Sequence, residues 1–328
     1  MLKALQQAIM LLSTLCILCF LSCTPKPTAE GEKEVPLVAF IDYVEDATLA
    51  EAKQGFFDAL RERGFSEDSN TIAVLYRNAQ GDQPTLLQAV DYVISQKPAL
   101  IATNTTLSTI NTVQRNRDIP VFMIVAPRPD IAGLTDKAGK HPPNLFGVYE
   151  TLDYIDTSVT LIRKLFPHAK KAGTIYSQSE SQSVDALRRL KAGCKALRIE
   201  LEALPVSNSS ETQLVTQSLL AKNIDVFFAL PDNVIFSSFE TVVKSCDEKN
   251  IPVLTSEAGL VKRGALASFG ADMYQWGYQS GKQAAEFLKQ GNSQGLSAEI
   301  VQVRKRVMKK SAAEKYGWPA DSSFSMVP

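Results

Sequence analysis

Several polar side chains sit where a short apolar run stops and helical periodicity begins. The run Val226-Phe227-Phe228-Ala229-Leu230 ends at Pro231-Asp232-Asn233, and apolar residues then return at Ile235, Phe239, Val242, Val243 and Cys246. That spacing reads as a buried strand, a polar tip and an amphipathic helix. The tip sets an acid and an amide at a helix N-terminus, where free N–H groups and the helix dipole gather. Two roles are open to Asp232: acceptor for a cationic group of a small ligand, or N-cap of the helix behind it. For Glu180 the alternatives are a second ammonium acceptor and a solvated acid in a first helical turn. Ser181, Ser183 and Thr105 can donate to a carboxylate alongside helix N-terminal amides, or serve capping and turns. Arg128 can clamp a carboxylate bidentately or remain solvated in a Pro-rich loop. Tyr43, Tyr149, Phe236 and Tyr274 can form an apolar wall or ordinary core. Asn233, Thr106, Asp46 and Glu257 complete the candidate ligand contacts.

The elements that must carry these tips alternate along the chain. Strands are expected at 37–41, 71–76, 100–102, 121–125, 146–149, 172–176, 201–205, 226–230, 253–254 and 265–269, with a basic strand-like piece at 300–307. Helices are expected between them at 49–60, 86–94, 107–113, 154–165, 184–197, 212–220, 234–246 and 273–288. Strands separated by helices predict parallel sheets covered on both faces. Two such series in one chain predict an α/β fold of two doubly wound lobes, with ligand held outside the carboxyl ends of the strands.

Composition narrows the function. The 328 residues are 45% hydrophobic and 21% charged, with a formal net charge of +0, an ordinary globular balance without a nucleic-acid surface. Two histidines, His141 and His168, leave little room for His-based catalysis or His-rich metal sites. Cys194 and Cys246 fall on apolar helical stripes, as buried thiols or as a disulfide pair. There is no G-x-x-x-x-G-K-[ST], no G-x-S-x-G, and no G-x-G-x-x-G after the first strand. No cofactor or metal is expected, and the chain does not read as an enzyme.

Residues 1–22 read as an export signal: Lys3 is the lone charge, and the apolar run Ala8–Phe20 is too short to span a membrane. The end Phe20-Leu21-Ser22-Cys23 resembles a bacterial lipobox, which makes Cys23 the expected acylation site, with a plain secretory signal or uncleaved anchor as the alternative. Residues 23–35 have the composition of a flexible tether.

From Leu37 to Gly291 the chain resembles the ABC-transporter substrate-binding lipoproteins of the tryptophan/tyrosine type. The stretches that carry the likeness are AKQGFFDALRERGF, YRNAQGDQPTLLQAVDYVISQKPALI, GTIYSQSESQSVDALRRLKAGCKAL, ALPDNVIFSSFETVVKSC and VKRGALASFGADMYQWGYQSGKQAAEFLKQG. The resemblance implies a type I periplasmic-binding-protein fold. One lobe would span 36–147 plus 267–291, the other 148–266 plus 292–328. They would close by a hinge over a small amino-acid-like ligand and deliver it to a permease and its ATPase. The envelope would hold the protein through its lipid anchor, facing the periplasm or the exterior. Asp232-Asn233, Glu180, Ser183 and Thr105 match the family, while Gln182 replaces its usual Asn. Asp46-Ala47 stands for its His-Pro, and Arg128-Pro129 for its Asp-Pro. A ligand-sensing or surface-interaction lipoprotein on the same fold is the alternative; an exported enzyme ranks behind both.

Overall fold

The computed structural model describes residues 35–318 and 321–328. The expected signal, the acylation site Cys23 and all but the last residue of the tether lie outside the described residues.

The first half is built on β1 (Leu37–Asp42), β2 (Ala73–Asn78), β3 (Leu100–Asn104), β4 (Val121–Pro127) and β5 (Leu145–Glu150). Between these strands run α1 (Ala47–Glu62), α2 (Gln83–Ser95) and α3 (Thr106–Arg115). The second half repeats the scheme with β6 (Lys171–Tyr176), β7 (Glu200–Pro205), β8 (Val226–Ala229), β9 (Val253–Thr255) and β10 (Ala267–Ala271). Its helices are α4 (Tyr154–Leu165), α5 (Ser181–Ala196), α6 (Thr212–Leu220), α7 (Asn233–Ser237), α8 (Phe239–Asp247) and α9 (Ala258–Lys262). Then come α10 (Met273–Gln290), β11 (Glu299–Ile300), β12 (Arg304–Lys309), α11 (Lys310–Lys315) and β13 (Ser325–Val327). One sheet runs β11-β5-β4-β3-β1-β2 and the other β13-β12-β10-β9-β8-β6-β7. Every pairing is parallel except β10 with β12. This is the expected pair of doubly wound α/β sheets.

The residue patterns account for these positions. Central β3 and β8 are buried along their whole length, as strands covered on both faces must be, whereas edge strands β2 and β7 are half exposed. The chain crosses between halves after β5, after β10 and after β11. The second crossing returns α10 to the first half, against α1. There Gly277, Gly281 and Gly55 let the two backbones touch: a Cβ on any of them would overlap the carbonyl oxygen of Ala52, Phe56 or Tyr274 respectively. The helix stops at Gly291, whose φ of 69° is the left-handed cap that glycine accepts without strain. Buried side chains of both halves, including Val44, Leu152, Phe236 and Trp276, belong to one contiguous apolar cluster.

Three expectations change. β10, expected with α10 in the first lobe, hydrogen-bonds in the second sheet, and β11 returns to the first beside β5. The single helix expected over 234–246 breaks at Ser238, whose hydroxyl turns onto Val234 O at 2.5 Å and Thr212 Oγ1 at 2.9 Å. The strand-like piece at 300–307 divides into β11 and β12, one on each sheet. Cys194 and Cys246 are free buried thiols, and burial pushes each up to about 12. Among the described residues no helix is long and apolar enough to cross a membrane, and no cluster has the makeup of a metal site.

Candidate ligand-binding site

The carboxyl ends of the two sheets face one another across a cavity. The first half contributes Thr105 and Thr106 after β3 and Val125, Ala126 and Pro127 at the end of β4. The crossing after β5 brings Leu152 and Tyr154, and α10 brings Trp276. The second half adds Gln182 after β6, Pro231, Asn233 and Phe236 after β8, and Glu257 after β9. The walls are mostly apolar, with a few polar groups converging, which is the makeup of a small-molecule site. Neither Arg nor Lys is among the lining residues.

Glu257 is the lining carboxylate, and its side chain is buried. Tyr154 Oη donates to its Oε1 at 2.5 Å, and Ser256 Oγ lies 3.3 Å from the same atom. Its other oxygen, Oε2, is buried without any partner. Burial, more than any neighbour, lifts this carboxyl to about 8; the Tyr154 and Ser256 hydroxyls pull it down and the Glu150 charge pushes it up.

Asp232 lies behind the wall. It is 0% exposed, with four protein donors: Val234 N at 2.8 Å and Ile235 N at 3.2 Å on Oδ1, Ser177 N at 2.7 Å and Ser183 Oγ at 2.6 Å on Oδ2. These fill a carboxylate's four acceptor positions, so Asp232 caps α7 and ties the β6 and β8 loops together. Glu180 is also buried, and its Oε2 accepts from Asn233 N at 3.1 Å, Asn233 Nδ2 at 2.8 Å and Gln182 Nε2. Burial and then the Asp232 charge hold Glu180 well above the usual carboxylate range; burial raises Asp232 too, against the pull of its donors. Because Glu180 takes the amide nitrogens of Gln182 and Asn233, the carbonyl ends of both amides are turned elsewhere. Gln182 Oε1 is buried and unpartnered.

Backbone strain concentrates at this cavity. Thr105 has φ 79° and ψ 164°, Val125 has φ 50° and Leu152 has φ 63°. Positive φ in a β-branched residue is a genuine outlier, and such strain gathers at ligand clamps. Thr105 Oγ1 is buried there without a partner, at the N-terminus of α3.

The other candidates have different places. Ser181 Oγ is buried and unpartnered but does not line the cavity, and Ser183 serves Asp232. Tyr43 donates to Gly81 O at 2.7 Å and does not line the cavity; burial, the Glu180 charge and Asp82 raise it to about 12. Asp46 caps α1 through Thr48 N and Leu49 N at 2.8 and 2.9 Å, and pairs with Arg263. Arg128 points away, held by Asp130 at 2.6 and 2.9 Å. Tyr149 packs under β4 and Tyr274 bonds Asp58 at 3.1 Å, both off the cavity wall. Sequence reasoning missed Tyr154, Trp276, Leu152 and Val125; the one available signal was an aromatic in the first turn of each crossing helix.

The pattern of the ABC transporter substrate binding proteins matches residues 37–325, and the chain belongs to that family. Its fold and family are those of solute-binding proteins, not of enzymes. The chain is 36% identical to the tyrosine-binding protein of Clostridioides difficile (strain R20291) over 252 residues, 77% of this chain and 72% of that protein. The structure is similar to an ABC domain in complex with L-Trp from Streptococcus pneumonia, with TM-score 0.81 and 24% identity over 89% of this chain and 99% of that one. It is also similar to the ligand-free, open structure of a substrate binding protein with adhesive properties from Clostridium difficile, with TM-score 0.65, 27% identity and the same coverage.

Proposed function

We propose that this protein captures an aromatic amino acid between its two halves and passes it to the permease and ATPase of an importer. The observation that carries the proposal is the free Oε2 of Glu257, a buried acceptor in a cavity whose lining holds no cation. In this reading the ligand's ammonium meets Glu257, steadied by Tyr154. Its carboxylate meets the Thr105 hydroxyl and the first amides of α3, where the helix dipole favours an anion. The ring lies against Phe236, Trp276, Leu152 and Val125. The names of the tyrosine-binding relative and the L-Trp complex support the same ligand class. The two halves stand closer to the L-Trp complex than to the open structure, by TM-scores of 0.81 against 0.65, which supports a closed arrangement.

Asp232, Ser183 and Glu180 act behind the contact surface, setting Asn233 and Gln182. Closure is a hinge motion at the three crossings, steadied by Arg304, which grips the buried Glu150 at 2.7 and 2.9 Å. Cys23 carries the lipid anchor; Cys23→Ala should release the protein from the membrane fraction. A thermal-shift screen of the standard amino acids tests the ligand class, because a ligand that binds the native state raises the melting temperature. No shift with tyrosine, tryptophan or phenylalanine would sink this reading. A second, surface-interaction role is favoured by one observation, the adhesive properties of the open-structure relative. Cell-adhesion assays on a strain lacking this chain distinguish that role from uptake.

A further inference from the structure

We infer that Gln182 selects the ligand by its ring, accepting a hydrogen bond from a ring N–H or O–H through Oε1. The inference rests on the aromatic amino acid reading and adds the chemistry of the ligand's far end. Gln182 lines the cavity from the first turn of α5, is buried, and its Oε1 has no partner. An amide can turn either end toward a ligand, but here the choice is made by the protein. Gln182 Nε2 donates to Glu180 Oε2, and the same oxygen is also held by Asn233 N at 3.1 Å and Asn233 Nδ2 at 2.8 Å. The carbonyl oxygen is therefore the end left for the cavity, and it accepts without donating.

Position makes this acceptor suit the far end of the ligand. Gln182 follows β6 and Glu257 follows β9, and the sheet order places β8 between those strands. Two strand spacings of about 4.8 Å set the strands that lead to them roughly 10 Å apart along the sheet edge. Phe236, which follows the intervening β8, lines the same cavity. A ligand that fills this slot needs donors at both ends: an ammonium for Glu257 and a ring donor for Gln182. Tyrosine and tryptophan carry both, and phenylalanine leaves Oε1 buried and unpaired. A buried acceptor left without a donor is strongly unfavourable, so the site rejects the ligand that lacks one.

The test is calorimetry of the full-length protein and its Gln182→Leu variant with tyrosine, tryptophan and phenylalanine. The wild type should bind tyrosine and tryptophan at least ~10-fold more tightly than phenylalanine, as expected of one buried hydrogen bond. In Gln182→Leu the first two should weaken ~10-fold or more while phenylalanine holds or improves, closing the gap. The Glu180 carboxylate keeps both Asn233 donors in this variant, and an unchanged ligand-free melting temperature checks the fold. Equal wild-type affinity for all three, or an equal loss of all three in Gln182→Leu, overturns this inference while leaving the aromatic reading in place. A wild type that binds none of the three overturns both.

Discussion

Ligand affinity should depend on pH through Glu257. Its carboxyl is raised to about 8, so the empty site carries a proton on Glu257 throughout the neutral range. An ammonium ligand needs the carboxylate, so binding must expel that proton. Affinity therefore rises with pH up to about 8 and levels off above it, while the ligand amine stays charged. At pH 6, two units below, the affinity should be ~100-fold weaker than on the plateau, or about 2.7 kcal/mol at 1.36 kcal/mol per unit. The groups facing Glu257 do not cancel this. Tyr154 on α4 is itself held well above its ordinary range by burial and the Glu257 charge, and stays protonated. Ser256 is neutral, and Glu150 on β5 is paired with Arg304. Titration calorimetry at pH 6.5 in buffers of different ionisation enthalpy should register about one proton released per ligand. Glu257→Gln should bind weakly and lose the pH dependence. An affinity flat from pH 6 to 8, with no proton released by the wild type, refutes the assignment of the ammonium to Glu257.

The same carboxyl affects the ligand-free protein with the opposite sign. A folded-state value above the unfolded one means the folded chain holds the extra proton, so stability falls as pH rises from about 4.5 to about 8, by at most ~1.4 kcal/mol per unit; urea denaturation of wild type against Glu257→Gln isolates this slope. Asp46→Asn keeps the cap on α1, since Asn caps as well as Asp, but discharges the partner of Arg263; the closed form should lose about 1–2 kcal/mol and affinity ~5–30-fold by calorimetry, with the ligand-free melting temperature unchanged. Thr105→Gly should relieve about 1–3 kcal/mol of strain against about 0.5–1 kcal/mol of added chain entropy, raising the melting temperature a few degrees while weakening ligand ~10-fold. Arg304→Met leaves the buried Glu150 without its guanidinium and should cost about 3 kcal/mol of stability in urea.

The fold was readable because strand and helix periodicity survive in local sequence. The all-buried run of β8 and the wide apolar stripe of α4 cannot be mistaken for each other's period. What local pattern could not carry was sheet membership across a crossing: β10 and α10 are adjacent in sequence yet belong to different halves. The site was legible to the level of the loop and no further. Asp232 and Asn233 are consecutive, but one turns inward onto four donors while the other lines the cavity. Glu180 and Gln182 divide in the same way, and the residue singled out from sequence is the one behind the wall. Val125 and Leu152 carry no signal at all, because their types argue against the positive φ they adopt. Arg128 looked suited to a carboxylate, but Asp130 two residues on already satisfies it.

Arg263 shows why recognition and closure are separable in this chain. Its Nη1 reaches Asp46 and also Thr48 Oγ1 at 3.3 Å in the first half, while Nε and Nη2 hold Glu240 at 2.7 and 2.8 Å in the second. Nη2 also donates to Phe236 O at 2.8 Å, the backbone of a cavity-wall residue. Arg263, Asp46, Thr48 and Glu240 are not among the lining residues, yet together they join α1 to α7, which carries Phe236. A ligand shifts an open–closed equilibrium only by its difference in affinity for the two states. An ion pair that bridges the two halves adds the same term to that equilibrium whatever the ligand is. Changes at Asp46 or Arg263 should therefore scale the affinities for tyrosine, tryptophan and phenylalanine by one common factor. Changes at Gln182 should alter their ratios, because its Oε1 faces the ring donor that tyrosine and tryptophan have and phenylalanine lacks.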